Sequence, residues 1–132
     1  MASFYKNRNK YGAKRTNGFP SKLESAVYDI LCLRERAKEI CDIKRQQAVV
    51  LQDGAKDVRI SWKIDFAFTN KKTGKLIYCE AKGIRTNDFI LKLKLFRKNP
   101  PADLEIWQGD YRRPKLIEII RGNYDKKTTV FT

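Results

Sequence analysis

Two runs of strand-like residues joined by a polar turn constrain this fold more than any other feature. In residues 58–68 every second position is bulky and apolar, an alternation typical of a β-strand with one buried face. The residues predicted to share that face are Ile60, Trp62, Ile64, Phe66 and Phe68. The polar segment 69–75 and a second strand-like run, 76–82, follow, which together predict a β-hairpin. Asp65 is therefore expected to point away from the apolar face.

A helix is predicted to precede the hairpin, over residues 21–38. Ser21 is a favourable N-cap, and Glu24, three residues later, completes a capping box. The apolar positions of this helix have the spacing of one buried face, and they are Leu23, Val27, Ile30 and Leu31. Glu24 borders that face, so we expect it at the edge of the core. A first strand is expected over residues 46–51, before the hairpin.

Downstream of the hairpin, residues 86–98 are predicted to form a second helix, capped by Thr86 or Asn87 and ended by two prolines. Residues 104–107 fit a short strand, whereas residues 116–120 fit a helix or a strand equally well. The predicted order is α-β-β-β-α-β, which indicates one α/β domain with a mixed β-sheet flanked by helices. This domain is expected to span residues 21–132, after a flexible basic arm over residues 1–20.

The charge of the chain indicates a polyanionic partner. The chain has 29 Lys and Arg against 15 Asp and Glu, a formal net charge of +14, which favours binding to nucleic acid. Candidate DNA contacts are Lys10, Lys14, Arg15, Lys22, Arg85, Lys92, Lys94, Arg97 and Lys98. The last four could equally form a solvated helix face. No apolar run approaches the roughly 20 residues of a membrane span, and no signal peptide is evident, so we expect a cytoplasmic protein.

The absence of histidine restricts the chemistry that the chain can perform. Histidine-based acid–base catalysis and Ser-His-Asp triads are excluded, so a hydrolytic reaction would need carboxylates, lysine, tyrosine, cysteine or a metal ion held by oxygen ligands. Glu80 and Lys82 are expected on one face of their strand, beside Asp65 if the hairpin register allows it. Such residues are also common on exposed strand faces, and the capping box alone explains Glu24. The three cysteines form no C-x-x-C pair, so reduced, buried thiols are expected.

Several stretches resemble known nucleases. Ile64-Asp65, fourteen further residues and then Glu80-Ala81-Lys82 resemble the PD-(D/E)xK nuclease motif, with Ile in place of the usual Pro. Together with residues 10–14 and 21–24, this pattern is similar to small phage and prophage proteins related to Holliday-junction resolvases of the phage T7 endonuclease I type. The resemblance covers about residues 9–107. It implies a restriction-endonuclease-like core.

The resemblance also implies roles for individual residues. Glu24, Asp65 and Glu80 would bind one or two Mg²⁺ or Mn²⁺ ions, and the Ala81 carbonyl would be a further ligand. Lys82 would be the motif lysine, so the catalytic set would be Glu24, Asp65, Glu80 and Lys82. Gln46 or Gln47 resembles a polar residue that often follows the first helix.

The function expected from this resemblance is a metal-dependent DNA endonuclease of phage recombination or DNA processing, acting in the bacterial host cytoplasm. It would select branched DNA and work as a homodimer, because a resolvase cuts two strands symmetrically. Two alternatives stay open. One is a sequence-specific or nicking endonuclease of the same fold. The other is a catalytically silent nucleic-acid-binding module, which the retention of all four polar motif residues disfavours.

Overall fold

The computed structural model describes residues 18–19 and 21–123 of the chain. The predicted basic arm therefore lies outside the described residues, except for Gly18 and Phe19. The candidate DNA contacts Lys10, Lys14 and Arg15 lie outside them as well.

Two helices and a five-stranded mixed sheet form the described part of the protein. In chain order the elements are α1 (Lys22–Arg36), β1 (Ile40–Gln52), β2 (Ile60–Asn70), β3 (Leu76–Ala81), α2 (Asn87–Lys98), β4 (Asp103–Gln108) and β5 (Lys115–Ile120). The strands lie side by side in that same order, with β3 and β4 parallel and the other neighbours antiparallel. The predicted mixed α/β fold is confirmed, and the segment left open between helix and strand is β5.

Side-chain caps fix where both helices begin. The Ser21 Oγ accepts a hydrogen bond from the Glu24 N–H at 3.1 Å, as a Ser N-cap does. At α2 the cap is Thr86 rather than Asn87, because the Thr86 Oγ1 accepts from the Phe89 N–H at 3.2 Å. No helix in residues 21–123 is long and apolar enough to cross a membrane.

The hydrophobic core has two parts, one beneath each helix. The cluster with α1 contains Leu23, Val27, Leu31, Phe66, Phe68, Ile77 and Cys79. The cluster with α2 contains Val49, Trp62, Ile64, Phe89, Leu93, Phe96, Leu104 and Ile106. Of the alternating residues of β2, Trp62, Ile64, Phe66 and Phe68 are buried as predicted, and they divide between the two clusters. Pairing between β2 and β3 begins at Phe66, where the membership of the clusters changes.

Strand β1 is longer and less regular than the sequence predicts. It begins at Ile40, six residues before the predicted start, and its register against β2 shifts between Cys41 and Lys44. Asp42 and Gln46 have positive φ values of 56° and 55°, which non-glycine residues rarely adopt. These irregularities interrupt the two-residue period and hide the strand in the sequence. All three cysteines are free; only Cys79 is buried, so the burial predicted for Cys32 and Cys41 is wrong in degree.

Candidate active site

The two strands of the hairpin separate where the predicted carboxylates lie. Pairing between β2 and β3 ends at Phe66 and Cys79, and Asp65 and Glu80 are the next residues on each strand. Beyond this point the Asp65 N–H donates to Glu80 Oε1 at 3.0 Å, and the Ala81 N–H donates to Asp65 Oδ2 at 2.9 Å. Each carboxylate thus accepts from a backbone N–H that no longer has a carbonyl partner on the neighbouring strand, because pairing between β2 and β3 has ended. The two side chains are consequently buried and fixed in position.

Glu24 joins these carboxylates from α1. Its side chain is only 4% exposed, and its charge and that of Asp65 act on each other directly. Within the described residues, Glu24 Oε2 is buried without a hydrogen-bond partner. The capping box is only half formed, because Ser21 Oγ accepts from the Glu24 N–H but no hydrogen bond returns from the Ser21 N–H to the Glu24 carboxylate in this part of the chain. Capping therefore does not account for the position of this side chain.

Burial raises the pKa of all three carboxylates, and the charge of Asp65 raises the pKa of the two glutamates further. Burial, and then repulsion from Asp65, raises the pKa of Glu80 to about 9. The same two causes in the same order raise the pKa of Glu24 to about 7. Burial also raises the pKa of Asp65, although the Ala81 N–H, the Glu80 hydrogen bond and the Lys82 charge oppose that shift. Without a further cation, all three groups cannot ionise together near neutral pH at low cost.

Two cationic side chains border the carboxylates. The charge of Lys82 lowers the pKa of both Asp65 and Glu80, and its Nζ lies 6.0 Å from the ring centroid of Phe89. On the α1 side, the charge of Arg45 lowers the pKa of Glu24. Sequence analysis missed Arg45, because it lies in the irregular part of β1 and reaches the site only through its pairing with Phe66.

The donor set suits a hard divalent cation. Three carboxylates supply oxygen ligands, and the unpartnered Glu24 Oε2 is an acceptor that a cation would satisfy. The backbone of Ala81 also lies beside the carboxylates, because its N–H donates to Asp65 Oδ2. Among the described residues no three carboxylate, thiol or imidazole side chains are arranged as a ready-made metal cage. Mg²⁺ does not require one, since it usually keeps several waters and binds one or two carboxylates.

Of the predicted DNA contacts on the described chain, some form ion pairs within the protein and others are exposed. On α2 and the segment before it, Lys92 pairs with Asp88 at 3.3 Å, and Arg85 and Arg97 both pair with Glu118. Lys94 and Lys98 are exposed on α2, and Lys22 is exposed at the start of α1. Of the two glutamines, Gln46 is exposed and Gln47 donates to the Arg45 carbonyl, so neither is seen bonded to the carboxylates.

A second pair of buried carboxylates, Asp103 and Glu105, lies on β4, paired with Ile77 and Cys79 of β3. Both line a cleft of about 530 Å³ beside the β2–β3 turn. Arg121 Nη1 lies 3.2 Å from Asp103 Oδ2, and Arg34 Nη1 lies 3.2 Å from Glu105 Oε1. These acids are neutralised by the chain itself, which makes them structural rather than catalytic candidates.

Comparison with known proteins identifies a family but no activity. A family model described as a protein of unknown function (DUF1064) matches residues 8–126 of the chain. The matched range includes every carboxylate of the site and the strands that carry them. No curated protein and no solved structure matches the sequence.

Proposed function

We propose that this chain, which belongs to the DUF1064 family of proteins of unknown function, is a divalent-metal-dependent endonuclease that hydrolyses phosphodiester bonds in DNA. One observation carries the proposal. Three buried carboxylates converge at the fork of a hairpin, one of their oxygens has no partner among the described residues, and a lysine lies beside them. A negative cluster of this kind in a chain of net charge +14 is the arrangement expected of a metal-assisted phosphodiesterase.

Each residue has a distinct part in the proposed reaction. Glu24, Asp65 and Glu80, with the Ala81 carbonyl, would hold Mg²⁺ or Mn²⁺, which supplies a Lewis acid at the scissile phosphate and a lowered pKa for the attacking water. The Lys82 ammonium would donate to a phosphate oxygen and offset the negative charge that develops there. Water adds to phosphorus as the bond to the leaving oxygen breaks, and the products are a phosphate monoester and a hydroxyl group.

The finer features of the proposal rest on the resemblance to the PD-(D/E)xK nucleases. That resemblance supports a restriction-endonuclease-like core, a preference for branched or distorted DNA, and a homodimer that cuts two strands. It also supports a location in the cytoplasm of a phage-infected bacterium. The high positive charge supports DNA as the substrate without favouring one DNA structure.

A cleavage assay tests the activity and the choice of substrate together. The protein would be incubated with Mg²⁺ or Mn²⁺ and, in parallel, a four-way junction, a linear duplex and single-stranded DNA. We expect metal-dependent cutting that is fastest on the junction and is lost in Glu80→Gln and Lys82→Met. Binding of all three DNAs without any cutting would indicate a silent binding module and refute the enzyme. Cutting that survives Glu80→Gln would refute the site.

A further inference from the structure

The turn between β4 and β5 lies at the same end of the sheet as the carboxylates, where β3 and β4 finish. Strands β3 and β4 are parallel and in register at Ala81 and Trp107, and the Lys82 N–H donates to the Trp107 carbonyl at 2.9 Å. The segments that follow these two strands therefore leave the sheet side by side. The segment after β4, residues 109–114, carries Tyr111 and the consecutive arginines Arg112 and Arg113.

Tyr111 is held between two cations from different parts of the chain. Lys22 Nζ, from the first turn of α1, lies 4.8 Å from the Tyr111 ring centroid, and Arg112 Cζ lies 5.3 Å from it. The Arg112 Nε donates to the Tyr111 hydroxyl at 3.3 Å. The hydrogen bond and charge of Arg112, and then the charge of Lys22, lower the pKa of the Tyr111 phenol. Lys22 lies in the same first helical turn as Glu24, and the turn that carries Tyr111 follows β4, whose Trp107 pairs with Ala81 beside Glu80.

The backbone of the turn fixes this arrangement. Gly109 has a φ of 103°, and a Cβ there would lie 3.0 Å from the Arg113 carbonyl oxygen, so the position requires glycine. The Asp110 carbonyl accepts from the Arg113 N–H at 2.9 Å, and Asp110 Oδ1 accepts from the Arg112 N–H at 3.3 Å. Tyr111 and Arg112 are thus presented by an ordered turn.

Within residues 21–123, the cations of this group form no direct ion pair, although the charge of Asp110 acts on Arg112. In the described part of the chain, neither Lys22 nor Arg112 has a carboxylate oxygen within 4.0 Å, whereas Lys92 and Arg97 on α2 do. The acid nearest in sequence, Asp110, uses one oxygen to accept the backbone N–H of Arg112. Hydrogen-bond donors of an ammonium, a phenol and a guanidinium therefore face solvent together, at a site that would attract an anion.

We propose that Lys22, Tyr111 and Arg112 form a phosphate-binding subsite that holds the DNA backbone a few nucleotides from the bond being cut. This inference rests on the proposed function, because the subsite is defined relative to the carboxylate cluster. A phosphodiester oxygen accepts hydrogen bonds from all three donor types, and a bound phosphate relieves the repulsion between the two cations. The subsite positions the strand and carries no sequence information.

The first test measures how DNA binding depends on salt. Affinity for a fluorescent duplex would be followed by anisotropy in EDTA, so that binding is measured without cleavage. The test variant is the double substitution Lys22→Gln with Arg112→Gln. The control is Lys71→Gln with Lys72→Gln, which removes the same charge from the exposed turn at the opposite end of the sheet. Thermal melting of all forms would confirm that each is folded.

We expect the test variant to lower the slope of log affinity against log salt by about 1 to 2, since each lost phosphate contact removes about 0.9. The control should change the slope much less. A second test replaces single phosphates of the strand by neutral methylphosphonates. One position should weaken binding to the wild type about tenfold and have no effect on the test variant, because the interaction is already absent.

The outcomes separate this inference from the proposed function. If the wild type binds but does not cut, and the slope and the methylphosphonate effect behave as expected, the three residues bind a DNA phosphate, but the nuclease proposal fails and with it the position of the subsite relative to a cut bond. If the wild type cuts but the test variant and the control have equal slopes, or no methylphosphonate position distinguishes wild type from variant, the subsite is refuted.

Discussion

Buried carboxylates form two groups in this fold, and the charges of the two groups are balanced in different ways. In the first group, Asp103 and Glu105 each contact an arginine at 3.2 Å, and Asp103 also accepts from the Gly122 N–H at 2.8 Å. In the second group, Glu24, Asp65 and Glu80 have no lysine or arginine nitrogen within 4.0 Å among the described residues. The first group is neutralised within the fold, whereas the second requires protons or an external cation.

This difference separates a structural role from a proposed functional one. A buried carboxylate costs several kcal/mol unless its charge is compensated, so three buried carboxylates without a direct ion pair do not serve stability. Clusters whose pKa values are raised by burial and by like charges are typical of catalytic and metal sites. The arginine-paired group on β4 provides a control of the same chemistry within the same protein.

The largest expected effect is on cleavage. Asp65→Asn should slow DNA cutting by at least about a hundredfold, because it removes a metal ligand that stabilises the transition state. Glu105→Gln should leave the rate within about threefold when assayed below its melting temperature. Single-turnover rates on a four-way junction would measure both. Equal losses in the two variants would contradict the division between the groups.

The second effect is on stability, and its direction differs between the two groups. Arg34→Met should lower the free energy of unfolding by about 2–4 kcal/mol, because it leaves the Glu105 carboxylate buried without its guanidinium. Glu80→Gln should leave the stability of the metal-free protein unchanged near neutral pH and raise it at higher pH, because Gln cannot ionise and repel Asp65. Denaturant unfolding in EDTA measures both.

The matched control for this comparison is Arg36→Met, an exposed arginine in the last turn of the same helix, for which we expect a loss below about 0.5 kcal/mol. Destabilisation by Glu80→Gln as large as that by Arg34→Met would mean that the carboxylate cluster also stabilises the fold.

A third effect is expected in the pH dependence of stability. The pKa values of Glu24 and Glu80 are raised in the folded protein, from 4.5 to about 7 and about 9. Between pH 4.5 and those raised values the folded state binds more protons than the unfolded state, so the contribution of these two groups to stability is full below about pH 4.5 and falls as the pH rises. From about pH 5 to about pH 8 in EDTA we expect this contribution to fall by roughly 6 kcal/mol at most, and by less where solvent screens Glu24.

Mg²⁺ should restore most of that loss at the higher pH, and Glu80→Gln should reduce it. Thermal melting across this pH range, with and without Mg²⁺, checks the prediction. Stability that rises with pH in EDTA would show that the carboxylates are compensated in some other way.

Most of the fold was predictable from local sequence patterns, and the exceptions have a common physical cause. Capping residues and apolar spacing located α1 and α2 to within two residues. The β5 segment was ambiguous, because its residues Leu116, Ile117 and Ile119 are partly exposed and show no alternation between apolar and polar positions. The segment is a strand because it pairs with β4. The spacing of apolar residues within a segment does not reveal such pairing with another part of the chain.

The candidate site was predictable where it follows strand geometry and not where it depends on long-range contacts. The hairpin pattern was sufficient to bring Asp65 and Glu80 together. Whether Glu24 caps its helix or faces the carboxylates depends on how α1 packs on the sheet, which the sequence left open. Arg45 and Tyr111 lie 21 and 87 residues from Glu24 along the chain, so only the tertiary fold brings them near it.

Titration with Mn²⁺ tests the central claim most directly, because it measures the metal site without any assumption about the DNA substrate. Calorimetry at about pH 8 would compare the wild type with Asp65→Asn and with Glu105→Gln. We predict that the wild type and Glu105→Gln bind Mn²⁺ with release of protons from the carboxylate cluster, and that Asp65→Asn does not. Absence of binding to the wild type, or undiminished binding to Asp65→Asn, would contradict the assignment of this cluster as a metal site.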